Sequence, residues 1–163
     1  MVDRNNKVDY AGRTVDLLLL KTVDAVPVVN KRVGIDASDD PMIVTGVEKM
    51  VQRYAVLFIN AAGTTMFRSL HGTDLVPRVS SGRVYNLATL ETAAALANMD
   101  ARRNMEIADA ADDTPDDERI VGSEVVKVEF SREKARVMVS VKLTTAAGKS
   151  YVYIIPVGVG VHG

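Results

Sequence analysis

The chain has 163 residues, the length of one ordinary domain, and carries 25% charged residues with a formal net charge of −1. So small a net charge gives no general attraction for nucleic acid or for an anionic membrane surface, and neither is expected as a partner. Cysteine is absent, which excludes a disulfide framework, a thiolate nucleophile and a cysteine zinc site.

The first part of the chain is polar. Residues 1–14 show no apolar period, and we expect an extended arm there. The apolar run at residues 17–20 is far shorter than the ~20 residues of a membrane helix. No secretory signal is expected, because three acidic residues interrupt the start of the chain: Asp3, Asp9 and Asp16. Synthesis in the cytoplasm is expected because the absence of cysteine fits a reducing compartment.

Residues 15–29 are apolar without helical spacing and contain Pro27. Because proline has no backbone donor, the segment is predicted as one or two extended pieces that stop or lie at an edge. Taken together, residues 1–32 are predicted to be an extended N-terminal arm, and residues 33–163 a single α+β domain.

A first helix is predicted from Asp39, Asp40 and Pro41 to about Asn60, with Gly63 ending it. Apolar residues recur at three- and four-residue spacing and predict one buried stripe, made of Ile43, Val47, Met50, Val51, Tyr54 and Phe58. The polar residues between them are predicted to face away, namely Glu48, Lys49, Gln52 and Arg53.

Residues 64–83 are predicted to be a loop with short ordered pieces. A second helix is predicted after Asn86, with a stripe that lets a neighbouring helix approach closely: Leu87, Leu90, Ala94, Ala97, Ala101 and Ala108. The acidic segment 109–117 contains Pro115 and is predicted to end this helix as a solvated linker.

Residues 125–157 contain three runs with a period of two, which is typical of half-buried strands. One parity of each run is predicted to face the core: Val126, Val128 and Phe130; Val137, Val139, Val141 and Leu143; Tyr151, Tyr153, Ile155 and Val157. A hairpin turn is predicted near Ala147 and Gly148. The fold class is therefore α+β, with two main helices packed on a small C-terminal antiparallel sheet of about three strands.

Three strands alone have two open edges and little core. We therefore expect this sheet to be covered by the preceding helices or to be completed by a strand from another chain.

Candidate chemical sites are weak in this sequence. His71 and His162 have no partner residues of the kind that a triad or a zinc site needs, so neither is predicted to be catalytic. The acidic segment lacks the ligand spacing of a calcium loop. Residues 158–163 match GxGxxG without a following helix, and Glu48 and Glu91 do not differ from ordinary surface acids. No catalytic, cofactor-binding or metal-binding residue is predicted.

The order of features in the second half of the chain resembles a known family. A helix ends in Asn60, Ala61, Ala62 and Gly63, a loop carries Gly72, Thr73, Asp74 and Leu75, and Asp117, Glu118 and Arg119 precede the three strands. From residue 43 to residue 157 the chain resembles the small baseplate wedge proteins of contractile-tailed phages, which have relatives in contractile bacteriocins and type VI secretion. The chain keeps the family's Gly-Thr-Asp-Leu loop but lacks the phenylalanine before it. Of the family's Glu-Pro-Arg step it keeps an acid and the arginine but lacks the proline.

The resemblance implies a structural protein of the virion, located in the tail baseplate after assembly in the host cytoplasm. Such proteins join the wedge complex around the tube and serve as the template for the first sheath ring by pairing strands between subunits. The expected partners are other wedge subunits, tube or hub proteins and the sheath protein, with several copies in a ring. The two motifs, residues 72–75 and 117–119, are the predicted partner-binding residues, and Arg119 is expected to bind a partner carboxylate or helix end.

Two other functions stay open at this point. One is a peptidoglycan hydrolase, and the other is an adaptor that captures an extended peptide at an incomplete sheet.

Overall fold

The computed structural model describes residues 16–17, 20–25, 30–35, 43–64, 71–84, 86–131 and 136–158. The elements in these ranges follow one another as β1 (Asp16–Leu17), β2 (Leu20–Ala25), β3 (Asn30–Ile35), β4 (Ile43–Val44), α1 (Gly46–Ile59), α2 (Leu75–Ser80), α3 (Leu87–Ala111), β5 (Ile120–Ser131), β6 (Arg136–Thr145) and β7 (Ser150–Gly158). The predicted α+β class, with helices before an antiparallel C-terminal sheet, is confirmed.

The strands β5, β6 and β7 form the predicted antiparallel meander. Its second turn is the predicted one: Gly148 has a φ of 77°, and its N–H donates to the carbonyl of Thr145 at 2.9 Å. On β6 and β7 the alternation is as expected, because Val139, Val141 and Ile155 are buried and Lys142 is exposed.

The sheet continues beyond the meander, in the order β2-β3-β7-β6-β5. β3 pairs with β7 in parallel, with Asn30 opposite Val152 and Arg32 opposite Ile154, while β2 and β3 pair as an antiparallel hairpin. The expectation of two open edges is thus corrected at β7, whose edge is filled by an upstream segment of the same chain. β3 also runs across the predicted boundary between residues 32 and 33.

β5 departs from the predicted period of two. Irregularities in its pairing with β6 lie between Ile120 and Gly122 and between Val125 and Lys127. Each inserts one residue and shifts the parity of the strand. Val125 therefore pairs with buried Val141, and Val126, which was predicted to face the core, is exposed.

The N-terminal end of α1 also differs from the prediction. Asp39, Asp40, Pro41 and the residues of the predicted arm before β1 lie outside the described residues. Ile43 and Val44 form the short strand β4, which pairs with β1, and the helix begins only after Thr45. It ends at Ile59, four residues before Gly63, because Asn60 already has an extended backbone with ψ at 138°.

The core lies between the helices and one face of the sheet. Tyr54 and Phe58 of α1 are fully buried, with ring centroids 5.8 Å apart. Burial of each such side chain contributes about 1.5–3 kcal/mol relative to an exposed one. Small side chains on α3 let α1 approach it closely, namely Ala93, Ala94, Ala97 and Ala101. Leu90 and Met105 of α3 are buried in the same core.

The start of α3 is the predicted one. The Asn86 side chain accepts the Thr89 N–H at 2.8 Å, and the Thr89 hydroxyl accepts the Asn86 N–H at 3.3 Å. This reciprocal cap satisfies two of the free amides at the helix end, so the local sequence alone fixes where α3 begins.

Candidate partner-binding surfaces

Glu118, one of the predicted partner-binding residues, is buried at the N-terminal end of α1, with 0% of its surface exposed. Its Oε1 accepts the N–H of Gly46 at 2.9 Å, and its Oε2 accepts Lys49 Nζ at 3.0 Å. The carboxylate satisfies a free amide of the first helical turn and sits at the positive end of the helix dipole. Thr45, the residue before the helix, makes no capping bond with its own side chain, so Glu118 supplies the cap from outside the helix.

A second buried carboxylate holds α1 one turn further on. Asp109, 7% exposed in the last turns of α3, accepts Arg53 Nη1 on Oδ1 at 3.0 Å and the N–H of Ile120 on Oδ2 at 3.3 Å. The hydroxyl of Thr114 donates to Oδ1 at 3.3 Å. Asp109 thereby joins α1, the end of α3 and the start of β5.

These contacts correct two predictions. Lys49 and Gln52 are buried and Arg53 is half-buried, although all three were predicted to face solvent; of that set Glu48 is exposed. The acidic segment is likewise not simply a solvated linker, because its first residue is the buried Asp109. Both predictions were wrong for one reason: α1 is covered on more than one side, and its basic residues meet acids from distant parts of the chain.

Arg119 lies next to Glu118 but points to solvent. Its Nη2 is 2.6 Å from Oδ1 of Asp116, and both side chains are about half exposed or more. The backbone of this corner is fixed, because the carbonyls of Asp116 and Arg119 accept the N–H groups of Ala147 and Ala146 from the β6–β7 turn. Arg119 is therefore an exposed guanidinium on a rigid corner.

The C-terminal end of α1 is held by the second motif. The N–H of Thr73 donates to the carbonyl of Asn60 at 2.8 Å, and the N–H of Ala62 donates to the carbonyl of Thr73 at 3.0 Å. The Thr73 hydroxyl donates to the carbonyl of Phe58 at 2.8 Å. Thr73 thus donates hydrogen bonds to carbonyls that have no helical partner at the end of α1.

Gly72 makes this close approach possible. Its φ is +113°, and a Cβ built there would lie 2.7 Å from the carbonyl oxygen of Asn60. Only glycine adopts this backbone easily and leaves the required space.

Leu75 is buried as the first residue of α2, and Asp74 is exposed, with an oxygen 3.8 Å from Arg78.

The two motifs therefore act on the same helix but at opposite ends, about 20 Å apart by the rise of a 14-residue helix. They do not form one continuous site. Glu118, Gly72, Thr73 and Leu75 are used inside the fold, and Asp117, Arg119 and Asp74 have surface that a partner can reach. For these three residues, partner binding stays a prediction.

β5 is a terminal strand of the sheet with exposed apolar side chains. It is at one end of the described strand order, with β6 as its neighbour on one side. Three of its large apolar side chains are about half exposed: Val121, Val126 and Phe130. An unpaired strand edge with apolar side chains beside it is a surface suited to backbone pairing with another strand.

No cluster of three metal-binding side chains occurs among the described residues, and no described helix is long and apolar enough to cross a membrane. His71 is half-buried at the start of the 71–75 loop, and His162 with residues 159–163 of the terminal glycine pattern lies outside the described residues.

Comparisons of the chain with protein-family models, with curated proteins and with solved structures find no match. The resemblance to baseplate wedge proteins thus depends on the residues quoted from the sequence.

Sequence reasoning missed Lys49, Arg53 and Asp109 as a connected set. One signal was available: Lys49 and Arg53 are four residues apart and so lie on one face of the helix. The identity of their acidic partners was not available, because Asp109 and Glu118 are 56 and 69 residues away.

Proposed function

We propose that the chain is a non-enzymatic structural subunit of a contractile-tail baseplate wedge that binds a neighbouring subunit by strand pairing at β5. The observation that carries this proposal is the free edge of β5, a strand of 12 residues at the end of the described sheet. The other border of the meander is filled by β3, so within the meander the edge open to another chain is that of β5, while β2 ends the sheet on the far side.

The side chains of β5 support a specific contact rather than nonspecific association. Val121 and Val126 project from the two bulges, and a Lys127–Glu129 ion pair of 2.6 Å lies on the exposed part of the strand. Bulges and charges of this kind limit pairing with arbitrary strands. A correct partner strand obtains backbone hydrogen bonds and a fixed register.

The two motifs have a supporting part in this proposal. They hold α1 at both ends and so keep α3 and the sheet in a fixed relation. Arg119 then presents its guanidinium to a carboxylate or a helix end of a neighbour, a bond that contributes about 1.5–3 kcal/mol when it is desolvated. Asp74 presents a carboxylate at the far end of α1.

Within a baseplate this subunit joins other wedge proteins and tube or hub proteins in the virion tail, in several copies around the tube. Contacts of one surface with a different surface on the next subunit close into such a ring. The exposed strand edge then offers the sheath protein a template for its first ring.

Deletion of the gene from its phage tests the proposal. We expect tail tubes without sheath in negatively stained lysates, and sheathed tails again when the wild-type gene is supplied in trans. Sheathed, infectious particles without the gene would overturn the proposal.

A pair of matched variants locates the contact. Val126→Lys adds a charge beside the β5 edge, and Leu87→Lys adds the same charge at a residue of similar exposure, 54% against 53%. Both are surface changes, with an expected effect on folding stability within about 0.5 kcal/mol. We expect Val126→Lys, but not Leu87→Lys, to reduce the number of sheathed tails.

The two other functions have separate readouts. Clearing of a peptidoglycan gel by the purified protein would identify a hydrolase. Capture of a strand from a protein outside the tail, by a chain that is not needed for sheath assembly, would identify an adaptor.

A further inference from the structure

The outer face of α3 carries apolar side chains that the fold does not bury. Leu96, Met99 and Ile107 are 44%, 65% and 62% exposed. Ordinary surfaces scatter such residues singly, whereas three on one helix face indicate a binding surface.

These residues form a continuous stripe. The spacing from Leu96 to Met99 to Arg103 to Ile107 is three, four and four residues, which places them on one side of a helix, with Asp100 beside them. The opposite side of α3 holds the buried Ala97, Ala101 and Met105. We call Leu96, Met99, Asp100, Arg103 and Ile107 the outer stripe; it runs about 16 Å along the helix.

A groove of about 210 Å³ borders the stripe. One wall is α3 itself, with Asp100, Arg103 and Ile107. The other wall is formed by Gly72, Asp74 and Ala62, which follows the end of α1. The groove has room for an apolar side chain that approaches from outside the chain.

We propose that the outer stripe binds the same stripe of a second copy, with the two α3 helices antiparallel about a twofold axis. The charge pattern leads to this partner. With the axis between Ala101 and Arg102, Asp100 of one copy lies opposite Arg103 of the other, and the same pair occurs again across the axis.

The apolar residues fit the same alignment. It places Leu96 opposite Ile107 of the second copy, twice, and Met99 beside the second copy's groove. One register thus satisfies two charge pairs and two apolar pairs. A twofold interface has to be self-complementary in this manner. The proposal depends on the outer stripe and the groove beside it and not on the proposed baseplate role.

The interface is small, since a single helix pair buries less than the ~1,200 Å² of standard stable interfaces. We therefore expect a weak dimer with a Kd on the order of 10 μM. Sedimentation of the purified full-length chain across its concentration range measures this Kd. A chain that sediments as a monomer at about ten times that concentration would overturn the proposal.

Reversal of single charges tests the alignment. Asp100→Arg and Arg103→Asp each replace two attractive contacts by two repulsive ones, and we expect each variant alone to bind itself at least about tenfold more weakly. When the two variants are mixed, all four facing charges become opposite again. The proposal predicts a heterodimer with the wild-type Kd, which sedimentation of a mixture with one labelled variant detects.

Glu91→Arg provides the control, because it reverses an exposed charge on the same helix outside the stripe. Its Kd is expected to equal that of the wild-type chain. Circular dichroism of every variant shows whether α3 is kept. The antiparallel pairing would be contradicted if the folded single variants still dimerise, or if their mixture does not. If the outer stripe instead binds a helix of another protein, the mixture will not dimerise and the wild-type chain will be monomeric.

Discussion

The two ends of α1 are held by different kinds of contact. At the N-terminal end a buried carboxylate, Glu118, binds a backbone amide and the ammonium group of Lys49. At the C-terminal end Thr73 binds carbonyls of Asn60 and Phe58, and Gly72 leaves the necessary space. The first end depends on a matched pair of charges, and the second depends on the absence of a side chain. Each end is therefore sensitive to a different substitution.

Loss of the charge at the N-terminal end is expected to have the largest effect. Glu118→Gln keeps the shape of the side chain but removes the charge that Lys49 Nζ contacts at 3.0 Å in a buried position. Breaking a buried pair on one side costs about 3–5 kcal/mol, which urea unfolding measures directly. Glu124→Gln, an exposed acid on β5, is the control and should change little.

The double variant Lys49→Met with Glu118→Leu sharpens this test. The double variant removes both members of this ion pair instead of one, so it is expected to be less destabilised than Glu118→Gln alone. If the double variant is instead the less stable of the two, the amide cap that Glu118 gives to Gly46 matters more than its charge pair.

At the C-terminal end, Gly72→Ala is expected to cost about 3 kcal/mol, from the positive φ together with the overlap at Asn60. Gly82→Ala is the matched control, because Gly82 also has a positive φ, +69°, but nothing lies within 4 Å of its added Cβ. It should cost only the ~1–2 kcal/mol of a left-handed residue. Equal losses in the two variants would show that the overlap at Asn60 is relieved.

Between the two ends, Tyr54 ties α1 to α3. Its hydroxyl donates to Asn98 Oδ1 at 2.6 Å, and burial raises the pKa of Tyr54 above its ordinary value of 10.0. Burial raises the pKa of Tyr153 in the same direction. The folded chain then keeps these phenol protons at a pH where the unfolded chain has lost them, so stability is complete below pH 10 and falls as pH rises further.

We expect tyrosinate absorbance from these two side chains to appear together with unfolding on alkaline titration. Tyr54→Phe should lessen this alkaline loss, and at neutral pH it should cost about 1–2 kcal/mol, because the Asn98 oxygen loses its donor. Tyrosinate absorbance that corresponds to all five tyrosines, in a chain that stays folded, would show that the Tyr54 ring is not held as the structure has it.

The parts of this fold that the sequence predicts are those decided within a few residues. The cap at Asn86, the alternation of β6 and β7 and the turn at Gly148 each follow from local backbone preferences. The parallel addition of β3 to β7 does not, because those strands are separated by more than a hundred residues and share no local pattern.

The candidate surfaces divide in the same way. The motif residues were found by resemblance, but the sequence did not separate Glu118, which is buried, from Arg119, which is exposed. The bulges in β5, which arise from its pairing with β6, decide which of its side chains face the core. Only the packed structure therefore tells an internal clamp from a surface contact.

Arg119→Ala has the smallest expected effect on folding. Its ion pair with Asp116 is exposed, so its loss should change the free energy of unfolding by no more than about 0.5 kcal/mol. If Arg119 binds a neighbour in the baseplate, the same variant should still reduce the fraction of sheathed tails in a complementation assay, and Arg119→Lys should restore part of it because the charge is kept but the two-pronged geometry is lost. The pair of results separates the two residues of this motif: Glu118→Gln is expected to act through stability and Arg119→Ala through assembly. Normal sheathing with the alanine variant would confine the role of this corner to the clamp on α1.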